Sequence, residues 1–213
     1  MRTARPYRTT ATGFTLIELV VVIGIIAIFM LYGMPQYKSV TTQNRMAGEI
    51  NDLANDVEVA RSTAISSGLS VVICPSAAPT AATPSCSGSN NWATGWIVFT
   101  DAGNNQTFNT TGDTLVHIHT ALSTDTLTGS ASDAVAGPYT GDVALLEFNR
   151  MGGASNGTGT NGTPYTALSL HDSSNTSTWQ RCVIVSGVGT STIASNASPG
   201  TLNSTTLTGA NCP

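Results

Sequence analysis

The chain has 213 residues, a formal net charge of −4 and only 9% charged residues. That length suits one globular domain plus a separate N-terminal element. The acidic balance excludes a general electrostatic attraction to nucleic acid or anionic lipid, and eight Lys and Arg in all leave little from which to build a local basic patch.

The first stretch is short, basic and free of acids, with Arg2, Arg5 and Arg8 ahead of Gly13. An apolar run follows from Phe14 to Met34, and its one carboxylate is Glu18. As a helix the run is about 31 Å long, close to the hydrocarbon thickness of a bilayer, so it is expected to span a membrane. The arginines before it keep the N-terminus cytoplasmic and place the rest of the chain outside. A carboxylate in hydrocarbon is costly and by default marks function, so Glu18 calls for a partner. Pro35 then removes a backbone donor and predicts a kink.

The helical pattern resumes beyond it. Met46, Ile50, Leu53, Val57, Ala60 and Ala64 form one apolar stripe, expected to bury against the chain's own domain. Glu49, Asp52, Asp56 and Glu58 mostly fall off it and are expected to be solvated. Ser66-Ser67-Gly68 predicts the helix end, with Gly68 as C-cap.

Strand signals come next. They are Leu69–Cys74, Trp92–Asp101, Leu115–His119, Val143–Asn149, Thr166–Leu170 and Cys182–Val185. Pro75–Asn91, residues 120–141 and Gly152–Gly162 read as loops. One long helix followed by antiparallel strands is an α+β arrangement.

Cys74, Cys86, Cys182 and Cys212 allow three pairings, and a domain outside the cytoplasm permits disulfides. Local pairing, Cys74–Cys86 and Cys182–Cys212, is the simplest. Zinc is the rival, though no Cys-x-x-Cys pair is present. His117 and His119 share one face of a strand, but no third ligand is identifiable. Asp101, Asn104 and Asn105 suit a calcium loop or ordinary turn chemistry. Trp92, Trp96 and Trp179 read as core or rim aromatics. With no Gly-x-Ser-x-Gly elbow and no His-Glu-x-x-His helix, neither an enzyme nor a cofactor or metal is expected.

The basic leader, Gly13-Phe14-Thr15-Leu16-Ile17-Glu18-Leu19 and the apolar helix together resemble the signal of type IV pilins and pseudopilins. The resemblance implies cleavage after Gly13 by a prepilin peptidase and N-methylation of Phe14. It also implies pairing of Glu18 with a neighbouring subunit's terminal amine during assembly. A proline at the distance of Pro35 is common in that family. Removal of the leader takes away three arginines and no acids, which leaves a mature formal charge of −7.

A second, looser match narrows this. Ala60-Arg61-Ser62-Thr63-Ala64-Ile65, Ile73-Cys74-Pro75-Ser76, Gly95-Trp96-Ile97-Val98-Phe99-Thr100-Asp101 and Arg181-Cys182-Val183-Ile184-Val185-Ser186 resemble the GspH/FimT/FimU group. The FimT-like branch is associated with DNA capture through a Gly-Arg-x-Arg motif after the last strand. Here that place holds Gly187-Val188-Gly189-Thr190-Ser191, without either arginine. Arg150 and Arg181 are isolated, so DNA is not expected as a partner.

The expected organisation is a leader over 1–13, a transmembrane assembly helix over 14–35, an amphipathic helix over 36–68 and an extracytoplasmic β domain over 69–213. The expected function is that of a minor pilin incorporated into, or priming, a type IV pilus. The alternative is the H-type minor pseudopilin of a type II secretion system. The partners are the prepilin peptidase, other pilins and the inner membrane, which the chain crosses once before entering the pilus.

Overall fold

The apolar stripe lies on the longest element of the chain. Helix α1 runs Leu16–Ser67. Met46, Leu53, Val57, Ala60 and Ala64 are fully buried, and Ile50 is nearly so. The helix stops where the sequence places the stop. Gly68 takes a φ of +69°, open to glycine at no steric cost, and its N–H donates to the Ala64 carbonyl at 3.0 Å.

The structure is a computed structural model that describes residues 13–132, 141–157, 165–174, 179–195 and 212, with side chains omitted for 32–36. The chain divides into two units, residues 1–42 and 43–213. The first holds the opening stretch of α1. The second holds the stripe and all the strands.

Those strands are β1 (Ser70–Pro75), β2 (Trp96–Asp101), β3 (Leu115–His119), β4 (Thr126–Ser132), β5 (Gly141–Asp142), β6 (Leu146–Phe148), β7 (Ala154–Ser155), β8 (Tyr165–His171), β9 (Arg181–Ser186) and β10 (Ser191–Ser195). They form two antiparallel sheets, ordered β3-β2-β1-β6-β7 and β10-β9-β8-β4-β5. This is the expected α+β class.

One face of each sheet contributes to the core around the stripe: Val71, Ile73, Trp96, Val98, Leu146 and Phe148 from the first, Leu127, Leu168, Leu170, Val183 and Val185 from the second. The period of two sends the alternate residues to the opposite faces. There Val72, Cys74, Ile97 and Phe99 gather a second cluster with Cys86, Phe108 and Leu145. Ala167, Cys182, Ile184 and Cys212 gather a third. β1 and β2 are therefore apolar in continuous runs, because Cys86, Phe108 and Leu145 cover their second face.

Four expectations need correction. The run from Trp92 is not one strand: Trp92–Thr94 is a 3-10 turn, and Gly95, at φ +98°, redirects the chain into β2. Residues 120–141, read as turns, contain β4 and the start of β5. β4 is Thr-Leu-Thr-Gly-Ser-Ala-Ser, too small and polar to signal a strand, and the packing requires that smallness. A Cβ on Gly129 would lie 2.6 Å from the Val143 carbonyl and 2.7 Å from the Trp92 indole nitrogen. Val143 itself is outside β6, because its carbonyl accepts the Trp92 Nε1–H at 2.9 Å. The short β7 and the edge strand β10 carried no strand signal either.

The sheets are joined at one end by two turns. The Ala154 N–H donates to the Gly187 carbonyl at 3.0 Å, and Arg61 Nε donates to the Gly152 carbonyl at 3.2 Å. Gly189, at φ +82°, lies so close that a Cβ there would meet the Gly152 carbonyl oxygen at 1.8 Å.

Candidate functional site

Gly13, Phe14 and Thr15 lie outside the helix, and α1 begins at Leu16. Thr15 closes the helix end twice over. Its Oγ1 accepts the Glu18 N–H at 3.3 Å, and its carbonyl accepts the Leu19 N–H at 3.2 Å. The order Thr-x-x-Glu is that of a capping box; the Thr15 hydroxyl takes one donor, the Glu18 N–H, that a helix start otherwise leaves orphaned, and the Leu19 bond is the first of the regular helical ladder. Glu18 stands in the first turn, where the partial positive charge of the helix end favours a carboxylate. Its side chain is exposed and makes no hydrogen bond or ion pair among the described residues. Phe14 is 86% exposed and Leu16 82%.

Beyond the cap, Ile17, Leu19, Val20, Val21, Val22, Ile23, Ile25, Ile26 and Ile28 through Leu31 are all exposed. Consecutive exposed apolar residues cover every side of the helix, unlike the single stripe beyond it. Among the described residues no helix is long and apolar enough to cross a membrane. The side chains described here stop at Leu31, short of the Met34 to which the sequence extends the run. α1 continues through Pro35, but the proposed kink lies outside the described side chains.

The second unit pairs its cysteines locally. Cys74 joins Cys86 with Cα atoms 5.5 Å apart, and Cys182 joins Cys212 at 5.6 Å. The two histidines of β3 share a face and serve packing. His117 Nδ1 is 2.9 Å from Asp56 Oδ1, and His119 stacks flat on Trp96 with ring centroids 3.8 Å apart. Among the described residues no group of three or more His, Cys, Asp or Glu is placed to hold a metal ion. In the loop after β2, both Asp101 carboxylate oxygens are taken by backbone donors, Asn105 at 3.1 Å and Gln106 at 2.7 Å. Turn chemistry accounts for that loop.

Two acids expected in solvent are not there. Asp56 is 2% exposed and accepts the Trp96 Nε1–H at 2.8 Å, so it ties α1 to β2 and, through His117, to β3. Glu49 lies beside Arg45 and Asp125, and Arg45 Nε donates to Asp125 Oδ2 at 3.1 Å. Burial pushes the Glu49 carboxyl up to about 7, helped by a hydrogen bond with Asp125 and by its charge; Arg45 opposes the rise. Asp125 holds the Arg45 guanidinium above its ordinary value, chiefly through their hydrogen bond. A signal for both acids is present in the sequence. Glu49 and Asp56 stand three residues after Met46 and Leu53 and four before Leu53 and Ala60, on the margin of the stripe.

The place of the Gly-Arg-x-Arg motif is the turn between β9 and β10. It exposes Val188, and the Gly189 N–H donates to the Ser186 carbonyl at 2.7 Å.

Residues 49–189 match the family model described as type II transport protein GspH, and residues 8–33 match the prokaryotic N-terminal methylation motif. The fold is similar to that of the type IV minor pilin FimU of Pseudomonas aeruginosa strain PAO1. One crystal structure of FimU matches at 14% identity and TM-score 0.50, covering 75% of this chain and 95% of that one. A second matches at 12% identity and TM-score 0.49, covering 71% and 94%. No curated protein matches the chain.

Proposed function

We propose, on the premise that this chain belongs to the GspH family and opens with an N-terminal methylation motif, that it is a minor pilin processed at Gly13–Phe14 and assembled into, or priming, a type IV pilus. Its membership makes it a structural subunit of pilin or pseudopilin kind. The choice of machine and the order of steps are our reading.

One observation carries the processing step. A Cβ on Gly13 meets nothing within 4 Å, and Gly13 has no left-handed φ. Among the described residues the fold does not call for glycine there, and the matched methylation motif, residues 8–33, spans the Gly13–Phe14 junction; both support recognition of this glycine by a processing enzyme. The exposed, non-helical Gly13-Phe14-Thr15 is available to such an enzyme.

The mechanism runs in order. Residues 1–13 serve as leader, residues 14–35 as a single inner-membrane span, residues 36–68 as the helix of the pilin domain, and residues 69–213 as the extracytoplasmic β domain. Prepilin peptidase cuts the Gly13–Phe14 bond, and the freed amine of Phe14 is methylated. Lipid covers the apolar sides of α1 before assembly and neighbouring helices cover them afterwards. Glu18, costly in hydrocarbon while unpaired, gains a neighbour's cationic amine. Pro35 supplies a bend in the helix.

Glu18→Val tests this. The precursor is expected to insert, to be cleaved and to fold its second unit, yet to be lost from filaments. Incorporation equal to wild type overturns the pairing step. The description of the matched family favours a second reading, the H-type pseudopilin of a type II secretion system. Deletion of the gene separates the two, since it abolishes piliation in one case and secretion in the other. The turn at Gly187–Ser191 holds no arginine, which speaks against DNA as a partner.

A further inference from the structure

We propose that Thr15 is a positioning residue for leader removal: as the N-cap of α1 it starts the helix beyond the Gly13–Phe14 bond and leaves that bond outside it. The inference rests on the processing reading above. A peptidase that binds its substrate as an extended strand needs free backbone groups on both sides of the scissile bond. A helix once formed extends more easily than it starts, so the position of its start has to be fixed by something. The Thr15 side chain takes the Glu18 N–H and its carbonyl takes the Leu19 N–H, which sets the first helical residue at Leu16. Gly13 acts in the same direction, because glycine resists helix.

The sequence also supplies the competing start. Thr9, Thr10 and Thr12 lie just upstream, and each is a candidate cap. Without the Thr15 hydroxyl, a cap at Thr12 would place Gly13 and Phe14 in the first turn, with the scissile carbonyl committed to a helical hydrogen bond. Thr15 thus selects among registers of one helix, and the selected register exposes the bond to be cut.

The test uses the full-length precursor in detergent or liposomes with purified prepilin peptidase, and initial rates are read by mass spectrometry of the new N-terminus. Thr15→Val keeps the shape and removes the acceptor; its kcat/KM is expected to fall about five- to tenfold, the equilibrium worth of an N-cap. Thr15→Ser and Thr15→Asp, which restore an acceptor, are expected to cleave within about twofold of wild type. Hydrogen exchange on the same precursors is the second readout, with the Leu16 and Ile17 amides gaining protection in Thr15→Val, because in the shifted register they donate to the Thr12 and Gly13 carbonyls. A Thr15→Val precursor cut at the wild-type rate overturns the proposal. So does a Thr15→Ser precursor as slow as Thr15→Val. A wild-type precursor left uncut between Gly13 and Phe14 overturns the processing reading instead.

Discussion

The two stretches of α1 are one helix by backbone and two different objects by surface. From Leu16 to Leu31 nearly every residue is apolar and exposed. From Met46 to Ala64 one stripe is apolar and buried, and most of the rest is polar. The backbone hydrogen bonds are the same in both, so the difference lies in what each surface requires. A helix apolar all round needs an apolar environment supplied from outside the chain, whereas a striped helix supplies its own by packing on its sheets. The second stretch meets that need within the chain, and the first leaves it open among the described residues.

The sharpest way to break that comparison is a matched pair of truncations. Leu53→Ala is expected to destabilise the second unit by about 2–5 kcal/mol, because it opens a cavity in a filled core. Ile23→Ala, at a residue 56% exposed, is expected to leave thermal unfolding of the β domain unchanged. Equal effects in calorimetry would dissolve the distinction between the stretches. Asp56→Ala comes next, at about 1–3 kcal/mol, because it strands the Trp96 indole N–H in the core. A shift in tryptophan emission should accompany the loss. Asp56→Asn, which keeps an acceptor, should recover part of it.

The smallest effect concerns pH. The Glu49 carboxyl ionises near 4.5 in the unfolded chain and at about 7 in the fold. Between those values the folded state holds the extra proton, so stability falls as pH rises through this window. The contribution is fully present below about 4.5 and gone above about 7. Urea midpoints of Glu49→Gln measured from pH 4 to 8 are expected to vary less than those of wild type. An unchanged slope would assign the pH dependence to other groups.

Much of this was legible in the sequence, and the exceptions have physical reasons. The stripe from Met46 to Ala64 is a local periodicity, and burial follows it residue by residue. β1, β2 and β9 are β-branched runs and announce themselves, while β8, with Thr166 its one β-branched residue, is a weaker signal. β4 does not, because the bulk of Trp92 beside it demands glycine where a strand would usually carry a large residue. Glu49 and Asp56 were misplaced because polarity was equated with exposure. What keeps them inside comes from far along the chain: Trp96 and His117 for Asp56, Asp125 for Glu49. At the candidate site, Gly13, Phe14 and Glu18 stood out by residue type and order. A signal for the N-cap position of Thr15 is present as well, in the order Thr-x-x-Glu ahead of an apolar run, and the contact of its hydroxyl with the Glu18 N–H makes it visible.

The contact between the Gly152 and Gly189 turns has a consequence for how this chain tolerates genetic change. Serine, threonine and asparagine are abundant in its sequence after position 75, and at exposed positions of that kind substitution is nearly free. At Gly189 any replacement meets two obstacles, a left-handed backbone and a carbonyl oxygen 1.8 Å from where the new carbon would lie. In a library of single variants this narrow seam between the two sheets should stand as a sharply depleted position within a permissive field. Its depletion would track abundance of the folded subunit rather than filament assembly.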